Sequence, residues 1–409
     1  MSFNLFRTKP GRILALACLS AALVLATSSC ISPTTMTGGC AGPASQGWSG
    51  FASYDGILYL GSMDGKVLAI NPSARDAGRQ FPDSGEWVYA VKAPVATGGM
   101  SCAPASASAS LYGTPAVSEN LVYVGTSVGN SGQAVGINRL SPGHEGGAPL
   151  RSRGEWIYPG ETKSIGAVVG SLTMADGVLY FGSSDGKAYA LDAVYGEKIW
   201  EFETDGKIWT SPAVGDGVVY IGGHDGSLYA LSAQDGGLLW KTELSAACAS
   251  SPTVSGDSVF VGTFDNRLYA IRAADGSPRW EFEGENWFWT QPVIEGDSIY
   301  AGCLDHNIYA LRTTTGEELW HFTADSPIVS TPVLMGDLLA VVSEAGEMYI
   351  LESASGTLQR TVSIGFQVMA PLYAEENLVF VHARNHFVYC IDAQRGRVVW
   401  ELDSIIEQD

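Results

Sequence analysis

The feature that most limits what this chain can fold into is a 40-residue period. Trp200, Trp240, Trp280, Trp320 and Trp400 fall on it, with Arg360 at the one interrupted position. Tyr180, Tyr220, Phe260, Tyr300, Ala340 and Phe380 keep the same step, as do Gly196, Gly236, Gly276, Gly316, Gly356 and Gly396. Self-similarity at this length marks a supersecondary unit whose faces are buried by its neighbours. Within one unit, apolar and small residues alternate over 208–213, 218–222, 227–231 and 237–241, which predicts four short strands. The joints suit them. Asp185-Gly186, Asp225-Gly226 and Asp265-Asn266 are two-residue turns that need positive φ, which Gly and Asn tolerate.

The period continues upstream with longer connections. Tyr59-Leu60-Gly61 and Tyr123-Val124-Gly125 match Tyr220-Ile221-Gly222, and Trp87 and Trp156 match the terminal Trp. Insertions over 72–84, 96–110 and 130–153 absorb the lost spacing. Eight units result. Four strands per unit, repeated eight times, predict an all-β, eight-bladed β-propeller of four-stranded antiparallel blades over residues 47–409. A parallel β-helix would show shorter coils. The repeated Trp is expected to pack between adjacent blades, with its indole N–H on a carbonyl.

Ahead of the repeats the chain has a different character. Arg7, Lys9 and Arg12 precede an apolar run over 13–26, then small residues and Cys30. Residues 1–29 read as a secretory signal, too short in its apolar run for a comfortable membrane span. The Ser-Ser-Cys ending resembles a bacterial lipobox, with Thr27 where that motif prefers Leu. The resemblance implies lipidation at Cys30 and a membrane-anchored lipoprotein outside the cytoplasm. Residues 30–46 are rich in Ser, Thr, Gly and Pro and read as a flexible tether.

The formal net charge is −20. Removing residues 1–29 takes away three positive charges and no negative ones, leaving about −23. Such a surface repels phosphate backbones, so nucleic acid is not an expected partner. Of the seven Cys, none are adjacent and none form CxxC, so a zinc or redox motif has no support. Cys40 and Cys102 can pair in an exported protein, and Cys390 stands where other repeats carry Ala and reads as a buried thiol.

The units YFGSSDGKAYALDAVYGEKIW, YIGGHDGSLYALSAQDGGLLW and YAGCLDHNIYALRTTTGEELW resemble the repeat of the pyrroloquinoline-quinone (PQQ) propeller superfamily. The resemblance runs over about residues 47–403 and implies an eight-bladed ring. That superfamily holds quinone-dependent alcohol and glucose dehydrogenases, and also the cofactor-free, BamB-like lipoproteins of envelope assembly. The dehydrogenases place an adjacent Cys pair over the quinone, a calcium ion and an Asp base. This chain has neither the Cys pair nor a clustered Asp loop for calcium, so no catalytic residue, no metal ligand and no PQQ–calcium cofactor carries over. The chain is similar to the BamB-like group. That implies a monomeric scaffold for envelope or membrane proteins rather than an enzyme. A quinone- or small-ligand enzyme or sensor with its site in the central funnel is the alternative reading.

Eleven residues before each unit's Tyr lies one slot, assigned here to the innermost strand: Trp48, Tyr112, Val169, Trp209, Ala249, Trp289, Val329 and Met369. The following slot is small throughout, from Ser49 to Ala370, as crowding near an axis requires. Trp48, Tyr112, Trp209 and Trp289, with neighbouring Trp287, are expected to ring one mouth of the channel and bind a partner. Packing between blades is the plain alternative. The long loops of blades 1 and 2 are a second candidate surface. The six His form no HExxH, and His224 and His306 are expected as solvated turn residues.

Overall fold

The computed structural model describes residues 47–92, 109–140, 142 and 154–406. The signal, the tether with Cys30, and the Cys40–Cys102 pair lie outside the described residues. Eight four-stranded antiparallel sheets form, each from strands consecutive along the chain apart from one short extra ribbon in blade 2. Blade 1 runs Phe51–Tyr54, Ile57–Gly61, Lys66–Ile70 and Trp87–Ala90, and blade 8 runs Tyr373–Glu375, Leu378–His382, Phe387–Asp392 and Arg397–Asp403. First strands of successive blades meet one another, which places them on the inside of the ring. Among the described residues no helix is long and apolar enough to cross a membrane.

One strand assignment shifts. The inner strand of blade 4 is Ala213–Gly215, not 208–213. Pro212 precedes it and has no N–H to give a ladder, so pairing starts after the proline. Pro115, Pro252, Pro292 and Pro332 hold the same position in blades 2, 5, 6 and 7. The slot of Trp209 therefore sits in the connection between blades rather than on a strand.

There is one core per junction. Tyr180, Ala190 and Trp200 of blade 3 pack with Ile221, Tyr229 and Leu231 of blade 4. The same arrangement recurs at the other seven junctions, including blade 8 against blade 1. A four-stranded sheet alone buries neither face, so the blades are stable only as a ring.

The Trp set behaves as expected and does more. Trp87, Trp156, Trp200, Trp240, Trp280 and Trp320 each donate Nε1–H to a carbonyl of the next blade, at 2.8–3.1 Å. Each lies against its own blade's Tyr or Phe, with centroids 5.7–5.9 Å apart. Arg360 keeps the donation, Nε to Gln394 O at 2.6 Å. The Gly of the next blade's outer hairpin receives the indole. A Cβ on Gly236 would lie 2.7 Å from the Trp200 ring, and the backbone there has φ +73°. Turn geometry and ring contact both demand glycine at this position.

Blade 8 meets blade 1 without exchanging a strand. Tyr373 hydroxyl donates to Ser53 Oγ at 2.6 Å. Lys66 Nζ donates to Ile406 O. Fully buried His382 pairs Nδ1 with Ser49 O at 3.2 Å and Nε2 with Ser404 Oγ at 3.4 Å. Burial, opposed by the Ser49 carbonyl, lowers its pKa to about 4. The insertion after the third strand of blade 1 forms α1 (Pro72–Asp76), capped by the Asn71 side chain. Arg75 and Glu86 form a buried pair at 3.0 Å beneath it.

Two outcomes are expected. Gly217 shares the φ of Gly236 but has open space around it. In urea unfolding, Gly217→Ala should cost about 1–2 kcal/mol for the backbone alone. Gly236→Ala should cost about 3–4 kcal/mol because overpacking against Trp200 adds to the strain. Equal losses would show that the indole yields freely. For His382, the unfolded state takes up a proton near pH 6.5 and the folded state only near pH 4. Stability from this site is complete above about pH 6.5 and is lost as pH falls, by about 3 kcal/mol in all. His386, on the same hairpin, adds a smaller lowering. A His382→Gln variant should show a flatter fall of Tm between pH 7 and 4 than the parent chain, and parallel curves would contradict the assignment.

Candidate functional site

The residues leading into the inner strands alternate buried, open, buried in six of the eight blades, while in blades 2 and 3 the third residue, Gly113 or Gly170, is itself part-exposed. In blade 4, Ile208 is buried, Trp209 is half-buried and Thr210 is buried. Ile208 fills the space over Gly182 of blade 3, where a Cβ would lie 2.1 Å away. Thr210 Oγ1 donates to Gly222 O at 2.8 Å. The middle residue is left no direction but outward, onto one face of the ring. Among the small residues, Gly113 and Gly170 admit no Cβ, because the next blade's backbone would lie 2.4 and 2.7 Å from it.

The turn between second and third strands reaches the same face. His224 N donates to Lys207 O, Phe264 N to Ala247 O, and Leu304 N to Trp287 O, at 2.9, 3.1 and 3.0 Å. Residues of these turns therefore stand beside the outward slot. The sequence-predicted aromatics separate into two groups. Trp48 and Tyr112 pair edge-on at 4.7 Å across blades 1 and 2. Trp209, Trp287 and Trp289 join a second group through His224 and Phe264. Centroids are 4.5 Å for Trp209–His224, 6.0 Å for His224–Phe264, 4.9 Å for Phe264–Trp287 and 6.1 Å for Phe264–Trp289. This second group is a continuous aromatic arc over blades 4, 5 and 6. The rings do pack between blades, yet they stay part-exposed, Trp289 by 36%.

His224 and Phe264 escaped the sequence reading of the site. Their signal is present: they lie 40 residues apart, two after the Gly that ends the second strand. His224 is no solvated turn residue. It is half-buried against Trp209, and burial, then the Lys207 charge, lower its pKa. Trp209 Nε1 donates to Ser184 Oγ at 2.9 Å, and Lys207 Nζ lies 5.7 Å from the Trp209 ring centre. Trp209 is thereby fixed from two sides. The inner strands of blades 5 and 6 and Thr331 of blade 7 line a separate open groove of about 680 Å³ that includes Thr253, Gln291, Ile294 and Gly296.

Comparison with known proteins agrees with this architecture. Residues 161–286 match the family model described as glucose/ethanol/alcohol dehydrogenase, β-propeller domain. Residues 305–408 match the one described as outer membrane protein assembly factor BamB. The chain is a propeller of the PQQ repeat type. Among solved structures, BamB from Moraxella catarrhalis is similar with a TM-score of 0.64 at 17% identity, over 84% of this chain and 95% of that one. The computationally designed Ika8 protein is similar with a TM-score of 0.63 at 15% identity, over 85% and 96%. No curated protein matches the chain significantly.

One arm of this repeat type implies quinone and calcium, and the four turn aspartates do not form a calcium ligand set. Asp185, Asp225, Asp265 and Asp305 each accept a tyrosine hydroxyl of their own blade, at 2.5–2.9 Å. They are spent one per blade and do not converge. Among the described residues no three His, Cys, Asp or Glu side chains group as a cation site. Cys248, Cys303 and Cys390 lie in three different inter-blade cores. Burial pushes each thiol up to about 12.

The two Trp classes should separate by stability. Trp200→Ala, in a core, should cost about 3–5 kcal/mol in thermal or urea unfolding. Trp289→Ala should stay within about 1 kcal/mol, since its ring is open on one side. A large loss for Trp289→Ala would make the arc structural rather than available for binding.

Proposed function

We propose that the chain is a lipid-anchored, extracytoplasmic scaffold that binds protein partners and works without a cofactor. The observation that carries this is the aromatic arc: part-exposed rings from three blades, held on one face by buried neighbours. Aromatic side chains on a rigid frame give contact area at low ordering cost and dominate protein interfaces. The likeness to a protein named an outer membrane protein assembly factor supports a role in envelope protein assembly. The signal-like start and Cys30 supply the anchor in this reading, and the tether gives the ring reach from the membrane.

Affinity capture from gently solubilised envelopes tests it. The parent chain should retain a stoichiometric membrane partner, and a folded Trp209→Ala/Trp289→Ala variant should lose most of it. Cys30→Ser should move the protein from the membrane fraction to the soluble one. PQQ and calcium titrated into purified protein should give no tight complex. Tight quinone binding with no partner would overturn the scaffold reading in favour of a funnel-sited enzyme.

A further inference from the structure

A carboxylate follows each turn residue beside the arc. His224 is followed by Asp225, Phe264 by Asp265, and Leu304 by Asp305, all in turns on the ring-bearing face. Glu285 is exposed one turn ahead of Trp287 and Trp289, and its backbone N–H donates to Asp305 Oδ2 at 3.0 Å. Among the described residues no basic side chain pairs with the Glu285 carboxylate. Asp225, Asp265 and Asp305 already accept their own blade's tyrosine hydroxyl and add charge, while Glu285 is left open to a partner. The cations on these segments are Lys207 and Arg267, and Arg267 is already paired with Glu281 and Glu283. His224 adds no charge at neutral pH. The arc already carries one cation on a ring, Lys207 over Trp209. The Trp289 ring, at the other end, is open and lies close to Glu285 in sequence.

We propose that the Trp209–Trp289 arc is the docking surface for an extended, arginine-bearing segment of the partner protein. This rests on the scaffold reading above and names its partner by charge and shape. A planar guanidinium stacks on an indole face and pairs with a carboxylate at the same time, which an ammonium does less well. Neighbouring rings offer apolar contact for residues between the arginines. The surrounding acidity steers such a segment inward at low salt.

The test uses the full chain and a short synthetic peptide carrying arginines spaced by Gly and Ser, followed by tryptophan fluorescence. Versions with Lys or Glu in place of Arg are run in parallel. The Arg peptide should bind best, the Lys peptide several-fold more weakly and the Glu peptide not measurably. Trp289→Ala should weaken the Arg peptide about tenfold. Glu285→Lys should weaken it about fivefold at low salt and flatten its salt dependence. Tyr195→Ala, exposed in an outer hairpin turn away from the arc, should change nothing. Equal binding of the Arg and Lys peptides, or indifference to Trp289→Ala in a folded protein, would overturn the proposal and leave only diffuse acidity. If the envelope partner is still lost from the Trp209/Trp289 variant in that case, the scaffold reading stands and the partner's chemistry is wrong. If the partner is also kept, both readings fall.

Discussion

The contact between a blade's outer Trp and the next blade's hairpin Gly is the constraint from which the ring follows. It joins three requirements in one place. The indole needs a flat, close surface, its N–H needs an acceptor inside an apolar junction, and the hairpin needs a left-handed residue. Glycine at 236 and its equivalents meets the first and third, and a carbonyl three residues earlier meets the second. Because the contact reaches from one blade to the next, it orients the five junctions that carry it, from Trp156 to Trp320, in the same sense. A chain built of such contacts must either continue indefinitely or close.

Closure is where the periodic solution fails and other chemistry takes over. Blade 7 lacks the Trp, and Arg360 supplies a donor of similar reach to the same kind of acceptor. Trp400 of blade 8 has no regular hairpin ahead of it in blade 1. It lies beside Pro72 and Ser73, at the start of α1, so the insertion occupies the place of the missing turn. On the inside, His382 bridges Ser49 near the start of the ring and Ser404 near its end. Its neutral imidazole accepts and donates within a buried junction, so the seal depends on the imidazole staying uncharged.

The sequence made the blades legible because each repeats its reasons at fixed spacing. The second strand of blade 4 falls on 218–222 as read, and the third and fourth differ by one or two residues at their ends. The first strand was misplaced because alternation continues through the buried-outward-buried connection, which has the same period as a strand. Pro212 held the correction. Trp209, Trp287 and Trp289 were legible as outward residues, but their grouping was not. Ring-to-ring neighbours depend on turns that lie far along the chain, so His224 and Phe264 came forward only once the turns were placed. Trp48 and Tyr112 share the slot but meet only each other among the predicted set.

The connection explains why rings at this slot stay available. Ile208, Phe288 and their equivalents are fully buried on one side, and Thr210 and Thr290 on the other. Rotating Trp209 or Trp289 inward would require one of these neighbours to leave a core, at a cost of a few kcal/mol. The fold thus sets these rings outward before any partner arrives. Surfaces fixed in this way lose little side-chain freedom on binding, so more of the contact energy remains as affinity. The same rigidity restricts what can fit. A partner has to lay its own groups along the spacing of blades 4, 5 and 6, which a short extended segment can do and a compact convex domain does poorly.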